Sequence, residues 1–290
     1  MRAFLVTVVL HFFAYLPLGV NRFLGAISGK LLHRLNTEAR RVTRRNLELC
    51  FPEMPLDKRE QITRRSLEET AKYAFEIGSI WIRGYSWCEP RILGVQNEQL
   101  FQNALASDRG LVIIAPHFGN WEIVGPFIAQ QAKCTVIYSE PKNMELDPII
   151  RKGRRDVSIV PASTKGVVAI LKALKRGEMT GILPDQVPEG EGGVYSDFFG
   201  IPAYTQTLIP NLIQKTNAIA LQAYAKRIKG GFEMGFMEPD PDIYSKDLQT
   251  SVNGLNKSIE QLCLTDLSQY QWEYKRFKRQ ATRGFDYYRK

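Results

Sequence analysis

Four short apolar runs, separated by stretches of helical periodicity, constrain this chain more than any other feature: LVIIA (111–115), CTVIYS (134–139), VSIVP (157–161) and MTGIL (179–183). Runs of this length between glycines, prolines and polar residues read as buried strands. Helical patterns from about Trp121, over 147–155, and from Ser163 or Thr164 to Arg176 fall between them. Strands that alternate with helices build an α/β fold with a largely parallel central sheet flanked by helices. Further on, AIALQAYAKRI and FEMGFMEP, separated by Lys229, Gly230 and Gly231, predict an antiparallel hairpin added at the sheet edge. A last helix is expected over 246–266, before a basic, aromatic tail.

The first residues pose a different question. Residues 3–20, AFLVTVVLHFFAYLPLGV, carry no formal charge, and as one helix they measure about 27 Å, barely enough to span a bilayer. Arg2 precedes them and Arg22, Lys30 and Arg34 follow, a bias that places the bulk of the chain on the cytoplasmic side. No Ala-x-Ala-like cleavage site follows closely. A membrane-anchor helix is the expectation, against a buried core helix or a tilted or re-entrant segment broken by Pro17. We therefore expect an anchor and interfacial segment over 1–35 and a single domain on the cytoplasmic face over 36–290. Within that domain a helical collar would occupy 36–90, basic at Arg40, Arg41, Arg44 and Arg45 and broken at Pro52 and Pro55, with the α/β core over 91–290.

A net charge of +9 points to an anionic partner, which charge alone does not identify: nucleic acid, phospholipid, a phosphorylated lipid or an acidic carrier protein. No helix-turn-helix, zinc finger or single-strand-binding signature supports nucleic acid. Cys50, Cys88, Cys134 and Cys263 are too scattered for a zinc knuckle or redox pair and are expected as reduced thiols.

The segment LVIIAPHFGNWE sets His117 just past the carboxyl end of a buried strand, where open α/β sheets bind ligands. Glu122 follows five positions later, about 140° around a continuous helix, so the two meet only across a turn. Pro116 and Gly119 supply a turn, Asn120 a cap, and Glu122 would then lie in the first helical turn, able to reach back to the imidazole. So held, His117 keeps one tautomer and offers its other nitrogen as a general base. Pro126 should kink or shorten the helix that follows. Asp185 and Gln186 also leave a strand at the ligand edge, with loop capping as their other use. Gly190 to Gly193 has no following Lys-Ser or Lys-Thr, which excludes a nucleotide phosphate-binding loop; it reads as a mobile flap. No spacing implies a metal site.

HFGNWE (117–122), together with RRNLELCFPEM (44–54), GLVIIAPHFGNWE (110–122), IIRKGRR (149–155), LKALKRGE (171–178), LPDQVPEGEGG and DFFGIPAYT within 183–205, and QYQWEYKRFKR (269–279), resembles the bacterial lipid A biosynthesis (late) acyltransferases, within the glycerolipid acyltransferase superfamily. The resemblance implies O-acyl transfer from acyl carrier protein to a hydroxyl of a phosphorylated lipid A precursor. His117 would be the base and Glu122 its orienting carboxylate. Arg154 would neutralise a lipid phosphate or the oxyanion, and Asn120, Trp121, Asp185 and Gln186 would face substrate. It also implies the cytoplasmic face of an anionic bacterial inner membrane, and no cofactor beyond the carrier's phosphopantetheine. Tyr274 stands where many members have histidine, leaving Arg276, Lys278 and Arg279 as the tail's contacts to phosphate or carrier. The rival readings are a 1-acylglycerol-phosphate acyltransferase, or a non-catalytic basic membrane-binding protein that leaves His117 idle.

Overall fold

The structure, a computed structural model, describes residues 2–141, 144–280 and 286–289. Helices α1 (Arg2–Tyr15), α2 (Leu18–Arg34), α3 (Glu38–Cys50), α4 (Leu56–Arg83) and the single turn α5 (Tyr85–Cys88) precede the first strand. The strands are β1 (Ile92–Gln96), β2 (Leu111–Ile114), β3 (Cys134–Tyr138), β4 (Ser158–Pro161), β5 (Met179–Ile182), β6 (Gly193–Phe198), β7 (Ile201–Gln206), β8 (Ile219–Ile228) and β9 (Gly231–Met237). Helices α6 (Glu98–Leu105), α7 (Val124–Ala129), α8 (Asp147–Gly153) and α9 (Thr164–Lys175) link β1 to β5 in turn, α10 (Leu208–Thr216) precedes β8, and α11 (Leu248–Thr265) follows β9.

Seven strands form one sheet in the order β1-β9-β8-β2-β5-β3-β4, with β8, β2, β5, β3 and β4 mutually parallel. The expected parallel sheet with an antiparallel hairpin is present. The hairpin is not at the edge, however: β8 pairs with β2, and β9 is covered by β1, which runs parallel to it. The segment ILGVQ escaped notice because β1 is only half-buried and its register slips at Gly94, so it lacks the apolar density of an interior strand. Strands β6 and β7 form a separate antiparallel ribbon that begins at Gly193, the last residue of the glycine-rich run read as a flap.

Residues of β2 show why the interior strands were legible. Val112 and Ile114 enter one core with Leu212, Ile259 and Leu262, while Leu111 and Ile113 enter the other with Phe101, Phe127 and Phe236. A strand buried on both faces is apolar throughout, and each such side chain contributes about 1.5–3 kcal/mol by leaving water. All four cysteines are free and buried.

The single anchor helix over 3–20 is replaced by two helices. Pro17 has no N–H and restricts Leu16 before it, so α1 ends at Tyr15 and α2 begins at Leu18. Among the described residues no helix is long and apolar enough to cross a membrane. Both helices pack on α4 through missing side chains. A Cβ at Gly25 would lie 2.6 Å from Lys72 Cα, one at Gly78 2.5 Å from Leu10 O, and Gly29 meets the Glu68 backbone as closely. The outer face is left apolar: Phe4, Leu5, Phe12, Tyr15, Phe23 and Leu35 are at least 60% exposed. Arg22 is not a free flanking charge, since it donates to Glu76 Oε1 at 2.8 Å and to the carbonyls of Ile228 and Gly231.

Candidate active site

Sheet register alone brings the chemistry together. Strands β2 and β5 are parallel neighbours with Ile114 opposite Ile182, and His117 and Asp185 each lie three residues beyond that pair. The amide of Ala115 still donates to the Ile182 carbonyl at 3.0 Å. Beyond it the two chains separate into loops at the carboxyl edge, where open α/β sheets hold ligands.

The His117 loop is fastened on both sides. Gly119, at φ +58°, fits against the Ala225 backbone, where a side chain would collide. Its N–H donates to the Gln269 carbonyl at 2.9 Å, the Asn120 N–H to the Ala225 carbonyl at 2.8 Å, and the Gln271 N–H to the His117 carbonyl at 3.0 Å. Phe118 is fully buried, its ring edge-on to Tyr224 at 6.0 Å. These contacts fix the backbone from which the base projects.

His117 pairs with Asp185, not with Glu122. Asp185 Oδ1 lies 2.8 Å from His117 Nδ1, and its Oδ2 accepts from the His117 backbone N–H at 2.9 Å. Burial by itself would raise the Asp185 pKa, but the facing imidazole and these hydrogen bonds hold it below the usual carboxylate range. The carboxylate accepts, so Nδ1 carries the proton and Nε2 presents a lone pair. Gln186 Nε2 sits 3.2 Å from that nitrogen, and Trp121 packs edge-on to the imidazole at 4.7 Å while stacking on Tyr73 at 4.0 Å. Burial, then the nearby Glu122 carboxylate, push the Tyr73 phenol well above its ordinary pKa.

Glu122 turns elsewhere because residues 121–123 form a 3-10 turn before α7, so its side chain does not reach back as a helical first turn would allow. Its Oε1 accepts from Arg154 at 2.6 Å and its Oε2 from Trp81 Nε1 at 3.1 Å. The Arg154 charge is thereby offset rather than held bare for a phosphate or oxyanion. Asn120 likewise makes no side-chain cap; its amide donates to Glu76 Oε2 at 2.8 Å. Pro126 lies in the first turn of α7, where its missing N–H is tolerated, and the helix has six residues.

Glu76 is a buried junction that no local sequence motif marks. It has no exposed side-chain surface, and Arg22 and Arg227 both lie 2.8 Å from it. Its bond to Asn120 ties α2, α4 and β8 to the His117 loop. The available signal was spacing: Glu69, Tyr73, Glu76 and Ile80 recur at intervals of four, three and four along α4, one helix face.

A cavity of about 670 Å³ opens beside the base, in the range of small-molecule sites. Trp121, Gln186, Glu122 and Arg154 lie at its wall, and Ile113, Ile128 and Val136 are among its apolar lining. A second cavity of about 480 Å³ is lined by Arg41, Arg44, Arg45, Arg59 and Lys275. Arg45 and Lys275 adjoin Asn46 and Tyr274, which line a small pocket with His117. Glu60 offsets part of this charge by pairing with Arg40 and Arg44.

The tail corrects another expectation. Arg276 is buried and donates to the Tyr204 carbonyl at 2.8 Å and Thr205 Oγ1 at 2.7 Å, so it holds the β6–β7 ribbon instead of meeting phosphate. Arg279 bonds to the Gly190 carbonyl and Glu191, fastening the glycine-rich run. The Tyr274 hydroxyl accepts from the N–H of Val187, the residue after Gln186, at 2.9 Å.

The sequence profile described as bacterial lipid A biosynthesis acyltransferase matches residues 1–279. Curated relatives include a lipid A biosynthesis lauroyltransferase of Escherichia coli K12, 25% identical over 93% of this chain and 89% of that protein. A lipid A biosynthesis palmitoleoyltransferase of the same organism is 24% identical over the same shares, and a lipid A biosynthesis myristoyltransferase is 23% identical over 86% and 78%. Among solved structures, the 1-acyl-sn-glycerophosphate acyltransferase PlsC of Thermotoga maritima is 17% identical, with a TM-score of 0.40 over 91% of this chain and 97% of that one.

Proposed function

The chain belongs to the bacterial lipid A biosynthesis acyltransferase family, and from that premise we propose that it moves a fatty acyl group from the phosphopantetheine thioester of acyl carrier protein to a hydroxyl of a phosphorylated lipid A precursor, with His117 as general base. The observation that carries the mechanism is the His117–Asp185 pair at 2.8 Å beside an apolar cavity. Nε2 takes the hydroxyl proton as the oxygen attacks the thioester carbonyl. The C–S bond then breaks, and the departing thiolate receives that proton back. Such a base contributes about 10²- to 10⁴-fold in rate. Asp185 keeps the imidazole in the tautomer this requires and stabilises it while protonated. The acceptor displaces the Gln186 amide from Nε2. Glu122 and Arg154 act at the cavity wall, orienting substrate without touching the base.

The three relatives are named for different acyl groups, so membership leaves the chain length open. The carrier, an acidic protein, docks at the basic cavity around Arg41, Arg44 and Lys275. Helices α1 and α2 lie in the cytoplasmic leaflet of the inner membrane with the exposed Phe4, Phe12 and Phe23 among its acyl chains.

The test offers loaded acyl carrier protein to a tetraacylated lipid A precursor and, separately, to lysophosphatidic acid, with His117→Ala as control. A mass gain on the disaccharide that disappears in the variant supports the reading. Gain on lysophosphatidic acid alone replaces the acceptor, and transfer by His117→Ala at the wild-type rate removes the base.

A further inference from the structure

Two glycines line the cavity at positions where a side chain would have room. Several buried glycines sit where backbone approaches too closely for a side chain: a Cβ at Gly254 would fall 2.7 Å from Asp242 C, and one at Gly110 2.7 Å from Leu174 Cα. Gly153, at the cavity wall, is also closed in, by the Trp81 side chain rather than by backbone. Gly181 in β5 and Gly125 in α7 also line the cavity and are different. A Cβ at Gly181 would rest 3.7 Å from Val136 Cγ1, one at Gly125 3.8 Å from Val157 Cγ1, and neither would meet anything else within 4 Å. Neither has a positive φ. Glycine weakens strand and helix interiors alike, so local structure does not call for it here. What the two positions supply is empty space.

The shape of that space follows from sheet register. Gly181 pairs with Ile113 on one side and with Val136 on the other, and in-register residues of parallel neighbours point to the same face. All three line the cavity. The middle member of the row lacks a side chain, leaving a notch one strand wide between two apolar walls, about 10 Å apart at two strand spacings. Helix α7 covers this face, packing Val124 and Ile128 into the same core as Ile113, and Gly125 opens the cover as Gly181 opens the floor. A narrow apolar channel of this form fits an unbranched polymethylene chain and excludes a branched or polar one.

We propose that Gly181, with Gly125 above it, determines how long an acyl chain the enzyme accepts. The proposal rests on the acyl-transfer reading, and the experiment separates the two. In one arm, fatty acids from octanoic to stearic displace a fluorescent fatty acid from wild type, Gly181→Val, Gly181→Ala, Gly125→Leu and Val136→Ala. In the other, carrier protein loaded with the same chains donates to the lipid A precursor. Gly181→Val and Gly125→Leu should lose at least tenfold in affinity for the longest chain bound by wild type relative to the shortest, the discrimination expected of a methylene or more in a fitted pocket. Val136→Ala should shift the preference toward longer chains, a reversal that a merely damaged fold would not give; Gly181→Ala and melting temperatures check folding. A profile that falls uniformly with length, or does not move, overturns the proposal. Shifted binding profiles without transfer by any protein would leave the channel standing and remove the acyl-transfer reading, whereas transfer with unmoved profiles would do the reverse.

Discussion

Asp185→Asn isolates the role of the carboxylate because its two oxygens have different partners. Oδ2 accepts from the His117 backbone N–H and Oδ1 from Nδ1–H. Asparagine has one carbonyl oxygen to offer. If that oxygen faces the backbone N–H, the amide NH₂ faces Nδ1, which must then accept, and the ring proton moves to Nε2. The opposite orientation sets two donors against each other at the backbone, leaving a buried N–H unsatisfied at about 1–3 kcal/mol. The first orientation keeps the fold and removes the base lone pair. In triads where an aspartate sets the histidine tautomer, this change lowers kcat about 10⁴-fold. We expect a loss of about 10³- to 10⁴-fold here, or about 4–5 kcal/mol of transition-state stabilisation. The loss should fall in kcat, with KM for acceptor and donor little changed, and melting temperature near that of wild type at neutral pH. The Asp185 pKa is depressed in the fold, so its contribution to stability is present above the unfolded value of about 3.9 and is lost as pH falls through the folded one. The melting-temperature gap to Asp185→Ala should therefore narrow below about pH 4. Steady-state kinetics showing Asp185→Asn within threefold of wild type in kcat, or impaired only in KM, would refute the argument.

Three further outcomes follow from the buried charges. Glu122→Gln leaves Arg154 without its carboxylate and should cost about 2 kcal/mol in thermal unfolding, less than the about 3–5 kcal/mol of a fully buried pair because the Arg154 side chain is 32% exposed; its kcat should stay at least tenfold above that of Asp185→Asn, and equal losses would return the imidazole partner to Glu122. Glu76→Gln strips the charge facing Arg227, whose side chain is 4% exposed, and should destabilise the protein by about 3–5 kcal/mol while lowering kcat through the Asn120 loop; an unchanged melting temperature would contradict the junction. Glu273 is pushed up to about 7 by burial, with Oε2 unpartnered and Oε1 3.4 Å from Ser66 Oγ. A raised acid stabilises the fold below its unfolded pKa and loses that contribution as pH rises from about 4.5 to about 7, so Glu273→Gln should gain up to about 3 kcal/mol at pH 8 and little at pH 5, as melting curves at both pH values would show.

The parts of this fold legible in the sequence are those whose signal is local. LVIIA, CTVIYS and MTGIL reveal themselves because each becomes an interior strand covered on both faces, VSIVP through its compact apolar run even though β4 is a half-buried edge strand, and α9 and α11 fall within two residues of their expected bounds. The edge strand β1 and the β6–β7 ribbon carry weaker patterns and depend on partners elsewhere in the chain. The same distinction explains the site. His117 was identified from its place after β2, but its partner was sought five residues away, when sheet register brings in Asp185 from 68 residues away. Local spacing made Glu122 the natural candidate; only the alignment of Ile114 with Ile182 makes Asp185 the nearer one. A motif read along the chain therefore combines two jobs that the fold divides. His117 belongs to a proton-transfer pair completed by β5. Glu122 and Asn120 belong to a buried network of Arg154, Trp81 and Glu76 that holds the loop and the cavity wall. Substitutions at the two ends of HFGNWE should accordingly separate in kinetics, one acting on the chemical step and the other on stability and substrate binding.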